Sequence, residues 1–130
     1  MSARAEGAPP SVLVVDDSPD VRGLLTTRIG LDNDYEIVDE ACDGAEAIAL
    51  ATQHKPDLII LDVMMPVLSG VEALPAIVRG SPDSKIVVYS AFTDDLALEQ
   101  IYEAGAHAVV NKAAPLEHLL LTMHQVLNTV

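Results

Sequence analysis

Five short apolar runs, rich in β-branched residues and separated by helix-period segments, constrain this chain more than any other feature. The runs are Val12–Val15, Tyr35–Val38, Leu58–Leu61, Ile86–Tyr89 and Ala108–Val110. Each has the length of a strand, and Leu58–Leu61 is apolar throughout, as a strand covered on both faces should be. Between and after them lie five helical segments. Ser18 and Pro19 supply an N-cap and a first-turn proline for a helix reaching Leu31. Asp43–Lys55 places Ala45, Ile48, Ala49 and Ala51 at helical spacing and is stopped by Pro56. Leu68–Arg79 is closed by Gly80, and Asp94–Ala104 by Gly105. Pro115–Thr129 puts Leu116, Leu119, Leu120, Met123, Leu127 and Val130 on one face, with Leu121 opposite. Pro75 falls inside the third helix, which must start late or bend there. The alternation predicts an α/β fold: a parallel sheet with helices on both faces, because each parallel crossover needs a helix and runs right-handed.

Composition agrees with a single domain. The chain has 130 residues, 50% of them hydrophobic but only 3% aromatic, so the core must be aliphatic. That apolar fraction excludes intrinsic disorder. Twenty acidic against seven basic residues give a net charge of −13, which argues against direct binding to nucleic acid or to anionic membrane surfaces. The one cysteine, Cys42, forms no internal disulfide and is expected as a structural residue at the end of the second strand. Residues 1–10 are small, polar and Pro/Gly-rich, which predicts a flexible lead-in to a domain over 11–130. They lack the apolar segment of a signal peptide, and no run approaches the length of a membrane span; a cytoplasmic location is expected.

Sheets of this kind bind ligands beyond the carboxyl ends of their strands. Those ends carry Asp16 and Asp17, Asp62, Ser90, and Asn111 with Lys112. Three carboxylates, a hydroxyl and an ammonium would therefore converge on one rim. Like charges 4 Å apart repel by about 4 kcal/mol at an effective dielectric near 20, so the cluster calls for a hard cation. Mg2+ fits, since it takes one or two carboxylates, retains waters and works beside phosphate.

The segments VLVVDDSPDVR, LIILDVMMPVLSG, KIVVYSA and EAGAHAVVNK, in that order, resemble the receiver domain of two-component response regulators. The resemblance spans about Val12 to Val130 and is greatest to receivers that precede helix-turn-helix output domains; no such domain is present in this sequence. It implies a flavodoxin-like (βα)5 fold with strand order 2-1-3-4-5. It also implies a signalling domain that assists its own phosphorylation and dephosphorylation, rather than an enzyme. By this likeness Asp62 is the phospho-acceptor, taking a phosphoryl group from a sensor histidine kinase or phosphotransfer protein. Asp17 is a direct Mg2+ ligand, Asp16 a ligand through water, and Asp62 and the Met64 backbone carbonyl complete the protein's share. Ser90 is the switch hydroxyl and Lys112 the lysine that pairs with the phosphoryl group. The helix at 94–104, apolar at Leu96, Leu98, Ile101 and Tyr102, corresponds to an output surface and is a candidate homodimer or partner contact.

Two positions depart from the family pattern. Val109 stands where receivers carry an aromatic switch residue, and a β-branched side chain has no ring to swing. Ala113 replaces the proline after the lysine, so a trans Lys112–Ala113 peptide is expected, because a non-proline cis bond costs about 3–4 kcal/mol. Apolar Met64 and Phe92 beside the acceptor predict a long-lived acyl phosphate. His54, His107, His118 and His124 are scattered and expected on the surface. A flavin module would need a donor-rich first loop in place of Asp-Asp-Ser-Pro-Asp. An aspartyl-phosphate phosphatase would need its second acid two residues after the first. The competing reading is a receiver-like module that signals by docking, with little or no phosphorylation.

Overall fold

The computed structural model describes residues 7–31, 33–64, 70–91 and 95–128. Five strands and five helices alternate: β1 (Ser11–Val15), α1 (Pro19–Leu31), β2 (Glu36–Ala41), α2 (Gly44–His54), β3 (Leu58–Leu61), α3 (Gly70–Gly80), β4 (Lys85–Ser90), α4 (Asp95–Ala104), β5 (Ala108–Asn111) and α5 (Leu116–Leu127). The strands form one parallel sheet in the order β2-β1-β3-β4-β5. This is the expected architecture. No helix among the described residues is long and apolar enough to cross a membrane.

Strand alternation divides the core into two layers. Leu13, Val15, Ile59, Leu61, Ile86 and Val88 face one way, against Ala47 and Ala51 of α2, Ala73, Leu74 and Ile77 of α3, and Ile101 of α4. Val12, Val14, Leu58, Ile60, Val87, Tyr89 and Val110 face the other, against Leu25 and Ile29 of α1 and Leu119 and Met123 of α5. The α5 stripe is therefore core, and Leu121 is exposed on the far side as expected. Val130, assigned to the same stripe, lies outside the described residues.

Local signals place most helix ends. Ser18 Oγ accepts the Val21 N–H at 3.3 Å, capping α1. Asp43 accepts the Glu46 N–H at 2.8 Å, while Glu46 reaches back to the Cys42 N–H at 3.1 Å, a variant of the capping box. Gly105 ends α4 at φ +128°. The Glu36 N–H is held by the Pro10 carbonyl at 2.9 Å, so pairing begins just before the first strand. Of the lead-in expected over 1–10, residues 1–6 lie outside the described residues.

Several boundaries differ from expectation. β2 runs on to Ala41 rather than stopping at Val38, because it is an edge strand whose polar Asp39 and Glu40 conceal it in a search for apolar runs. Its register with β1 shifts at Val12/Leu13, passing over Val38. Pro75 is not in the first turn of α3: the helix already begins at Gly70. Pro75 cannot supply an N–H to Val71, and the fully buried Ala73, Leu74 and Ile77 hold the helix across that gap. The proposed start of this helix at Leu68 lies outside the described residues, as does Asp94 before α4. Pro115 precedes α5 as its N-cap instead of opening it, and Asn128 follows as C-cap. Cys42 lies one residue past β2 and is exposed, so it fills no core position. The described residues contain no cis peptide, in keeping with the trans bond expected at Lys112–Ala113.

Candidate functional site

The carboxyl ends of β1, β3, β4 and β5 meet because their registers align: Val15 lies opposite Leu61, Leu61 opposite Val88, and Ser90 opposite Asn111. The backbone continues this pairing past the strands, with the Asp62 N–H on the Val15 carbonyl at 3.0 Å and the Lys112 N–H on the Ser90 carbonyl at 2.9 Å. Residues distant in sequence thereby converge on one rim.

Asp62 stands at the centre, 4% exposed. Its Oδ1 accepts the Ser90 hydroxyl at 2.8 Å and the Met64 N–H at 2.9 Å, and its Oδ2 accepts Lys112 Nζ at 3.1 Å. Lys112 Nζ also reaches Asp16 Oδ2 at 2.8 Å. Asp16 is 1% exposed, and its Oδ1 accepts the Ser18 N–H at 2.9 Å, which ties the carboxylate to the start of α1. Arg22 Nη1 donates to the Asp16 carbonyl at 2.6 Å and fixes the backbone there. Asp17 is exposed beside it.

Burial works to lower the pKa of Lys112, yet hydrogen bonds to Asp16 and Asp62 and their charges outweigh it, so the pKa lies above the ordinary lysine value. The ammonium is thus retained at neutral pH as the local countercharge. Carboxylate oxygens of Asp16, Asp17 and Asp62 all lie within 4.8 Å of one another. Such a set of hard oxygen donors, on a rim where one ammonium faces three carboxylates, suits a small divalent cation such as Mg2+.

The structure brings together Asp16, Asp17, Asp62, Ser90 and Lys112. Met64 joins them through its backbone N–H, with its side chain 61% exposed. Val109 is half-buried against the α2–α4 layer. Phe92, expected beside the acceptor, lies outside the described residues. His107, His118 and His124 are exposed, while His54 is half-buried and bonded to Asp39 at 3.1 Å. On α4, Ile101 is buried, Leu98 half-buried and Tyr102 49% exposed; the Leu96 side chain lies outside the described set. Sequence reasoning missed Arg22, for which helix position one turn after the cap was the available signal. It also missed Tyr89, whose ring centroid is 6.0 Å from Lys112 Nζ.

Residues 12–124 match the family profile described as the response regulator receiver domain. The chain is 35% identical over 115 residues to the response regulator GacA of Pseudomonas aeruginosa, covering 88% of this chain and 54% of that protein. A solved LuxR-family two-component response regulator from Aurantimonas sp. SI85-9A1 superposes with a TM-score of 0.86 at 27% identity, over 92% of this chain and 85% of that one. A chain in the CheX–CheY–BeF3–Mg2+ complex of Borrelia burgdorferi gives a TM-score of 0.87 at 27% identity, over 95% and 92% respectively. The chain spans about half the length of GacA, and a fifth of a similar protein-glutamate methylesterase from Maricaulis maris (54% and 20%).

Proposed function

The chain belongs to the response regulator receiver domain family, and from that premise we propose that Asp62 accepts a phosphoryl group from a phosphohistidine on a sensor kinase or phosphotransfer protein. The observation that carries this reading is the Asp62 carboxylate, nearly buried and held at once by Ser90 and Lys112 beside two further carboxylates. An Asp62 oxygen attacks phosphorus, the P–N bond breaks, and its electron pair stays on the imidazole nitrogen of the donor, which takes up a proton. Lys112 moves with the developing charge and offers its N–H groups to the phosphoryl oxygens, and Ser90 turns its hydroxyl to the same group. Asp16, Asp17, Asp62 and the Met64 carbonyl would hold Mg2+, which when bound supplies charge neutralisation at the transferring oxygens.

The receiver unit is taken as 11–130, and a cytoplasmic setting accords with a single free cysteine. The reading covers either a regulator of one domain or the receiver part of a transcriptional regulator such as the longer relatives. The half-exposed Tyr102 on α4 favours that region as the output contact. A docking module with little phosphorylation is the second reading, favoured by Val109, which gives Ser90 no ring to move.

Intact mass after incubation with Mg2+ and acetyl phosphate tests this. One added phosphoryl group is expected, absent from Asp62→Asn. Mg2+ binding without an adduct, from this donor and from a phosphorylated histidine kinase alike, would leave the docking module.

A further inference from the structure

Successive residues of a strand face opposite ways, and at the end of β4 this sends Ser90 to the acidic rim and Tyr89 into the layer beneath α1 and α5. Tyr89 is 7% exposed, packed in one cluster with Val110, Leu119 and Met123 and flanked by Ala114 and Leu116. The Lys112 ammonium lies 6.0 Å from the ring centroid while reaching Asp16 at 2.8 Å and Asp62 at 3.1 Å. Val109, by contrast, packs in the opposite layer against the α2–α4 side.

We propose that Tyr89 is a positioning residue for Lys112, holding its ammonium toward Asp16 and Asp62 and tying its movement to the packing of α5. Lysine carries a flexible four-carbon stem whose ordering costs rotamer entropy. Two carboxylates attract its end, but they attract it equally well from other stem conformations. An aromatic face within about 6 Å adds attraction from one side and walls off part of that freedom. The ring does this, so the hydroxyl is dispensable. When Lys112 shifts to a phosphoryl group, the same contact transmits the shift to Tyr89 and its neighbours Leu116 and Leu119, on a route that needs no aromatic residue at 109. The inference rests on the reading of Asp62 as acceptor.

The test is the rate of phosphoryl uptake from acetyl phosphate with Mg2+, followed by intact mass over a range of donor concentrations. Tyr89→Leu is expected to lower the rate at saturating donor by about two- to fivefold, leaving the half-saturating concentration unchanged. Tyr89→Phe, which keeps the ring, should restore the rate to within about twofold. In a Lys112→Ala background, Tyr89→Leu should have no further effect, because a positioning role acts through Lys112 whereas a loss of packing acts in both backgrounds. An unchanged rate in Tyr89→Leu, or an equal loss in the Lys112→Ala background, overturns the proposal. If thermal melting shows Tyr89→Leu unfolded, Tyr89→Met takes its place. Should the wild type take up no phosphoryl group, the Asp62 reading fails, and the NMR shifts of the Lys112 ε-methylene decide this one separately. They should move in Tyr89→Leu and stay in Tyr89→Phe; no movement in Tyr89→Leu rejects it.

Discussion

His107 Nδ1 accepts the backbone N–H of Ile86 at 3.0 Å, and the His107 N–H in turn reaches the Ile86 carbonyl at 2.8 Å. The first of these bonds requires an unprotonated Nδ1. Although the residue as a whole is exposed, partial desolvation of the His107 ring lowers its pKa below the usual histidine value, and the nearby Lys85 charge lowers it further. The unfolded chain then takes up this proton first as pH falls. The contribution to stability is whole above about pH 6.5 and is lost as pH drops toward the lower folded value. Urea midpoints measured from pH 7.5 to 5.5 should decline in the wild type, and the decline should be shallower in His107→Asn. In the sequence His107 is one of four scattered histidines. Its role was hidden there because the partner amide lies 21 residues away. Asp62, Ser90 and Lys112 were legible for the opposite reason: a polar residue ending an apolar run marks a strand end, and strand ends of a parallel sheet share one rim.

Helix ends in this chain follow local chemistry, while edges and interruptions follow their surroundings. Gly105 closes α4 at φ +128°, and an added Cβ would come within 2.7 Å of Val78 Cγ2 on α3. Gly105→Ala therefore meets both an unfavourable backbone conformation and a packed neighbour. A loss of about 1–3 kcal/mol is expected by chemical denaturation. Adding Val78→Ala would remove the contact but not the backbone cost, so the double variant should regain less than the single one loses, once the effect of Val78→Ala alone is subtracted. The caps at Ser18 and Asp43 were readable because donor and acceptor lie within one turn. The second half of β2 was not, because at the edge of the sheet Asp39 stays half-buried and Glu40 exposed, where both are tolerated. Pro75 was ambiguous alone; burial of Ala73, Leu74 and Ile77 against the sheet decides that the helix runs through it.

At the scale of the whole molecule, the net charge of −13 favours cation binding in general, and at one rim three carboxylates face a single ammonium. A cation bound there stabilises the folded state by mass action, by about 2.7 kcal/mol at a hundred times its dissociation constant. Calorimetry should show a melting temperature that rises with Mg2+. Asp17→Asn should abolish most of that rise and, without metal, melt no lower than the wild type, since one repelling carboxylate is gone. A melting temperature indifferent to Mg2+ would refute a cation site on this rim.

Periodicity by itself determined the α/β class, the sequence of five strands and five helices, and which polar residues end the strands, because these depend on residues within one turn or one run of each other. The pairing of Lys112 with both Asp16 and Asp62, the bond from Ser90 to Asp62, the ring of Tyr89 near that ammonium and the His107–Ile86 bond were decided only by the tertiary structure. Each joins strands or loops separated by a whole crossover. Their distances depend on strand order and register, which the packing of two aliphatic layers sets and no local run of residues records.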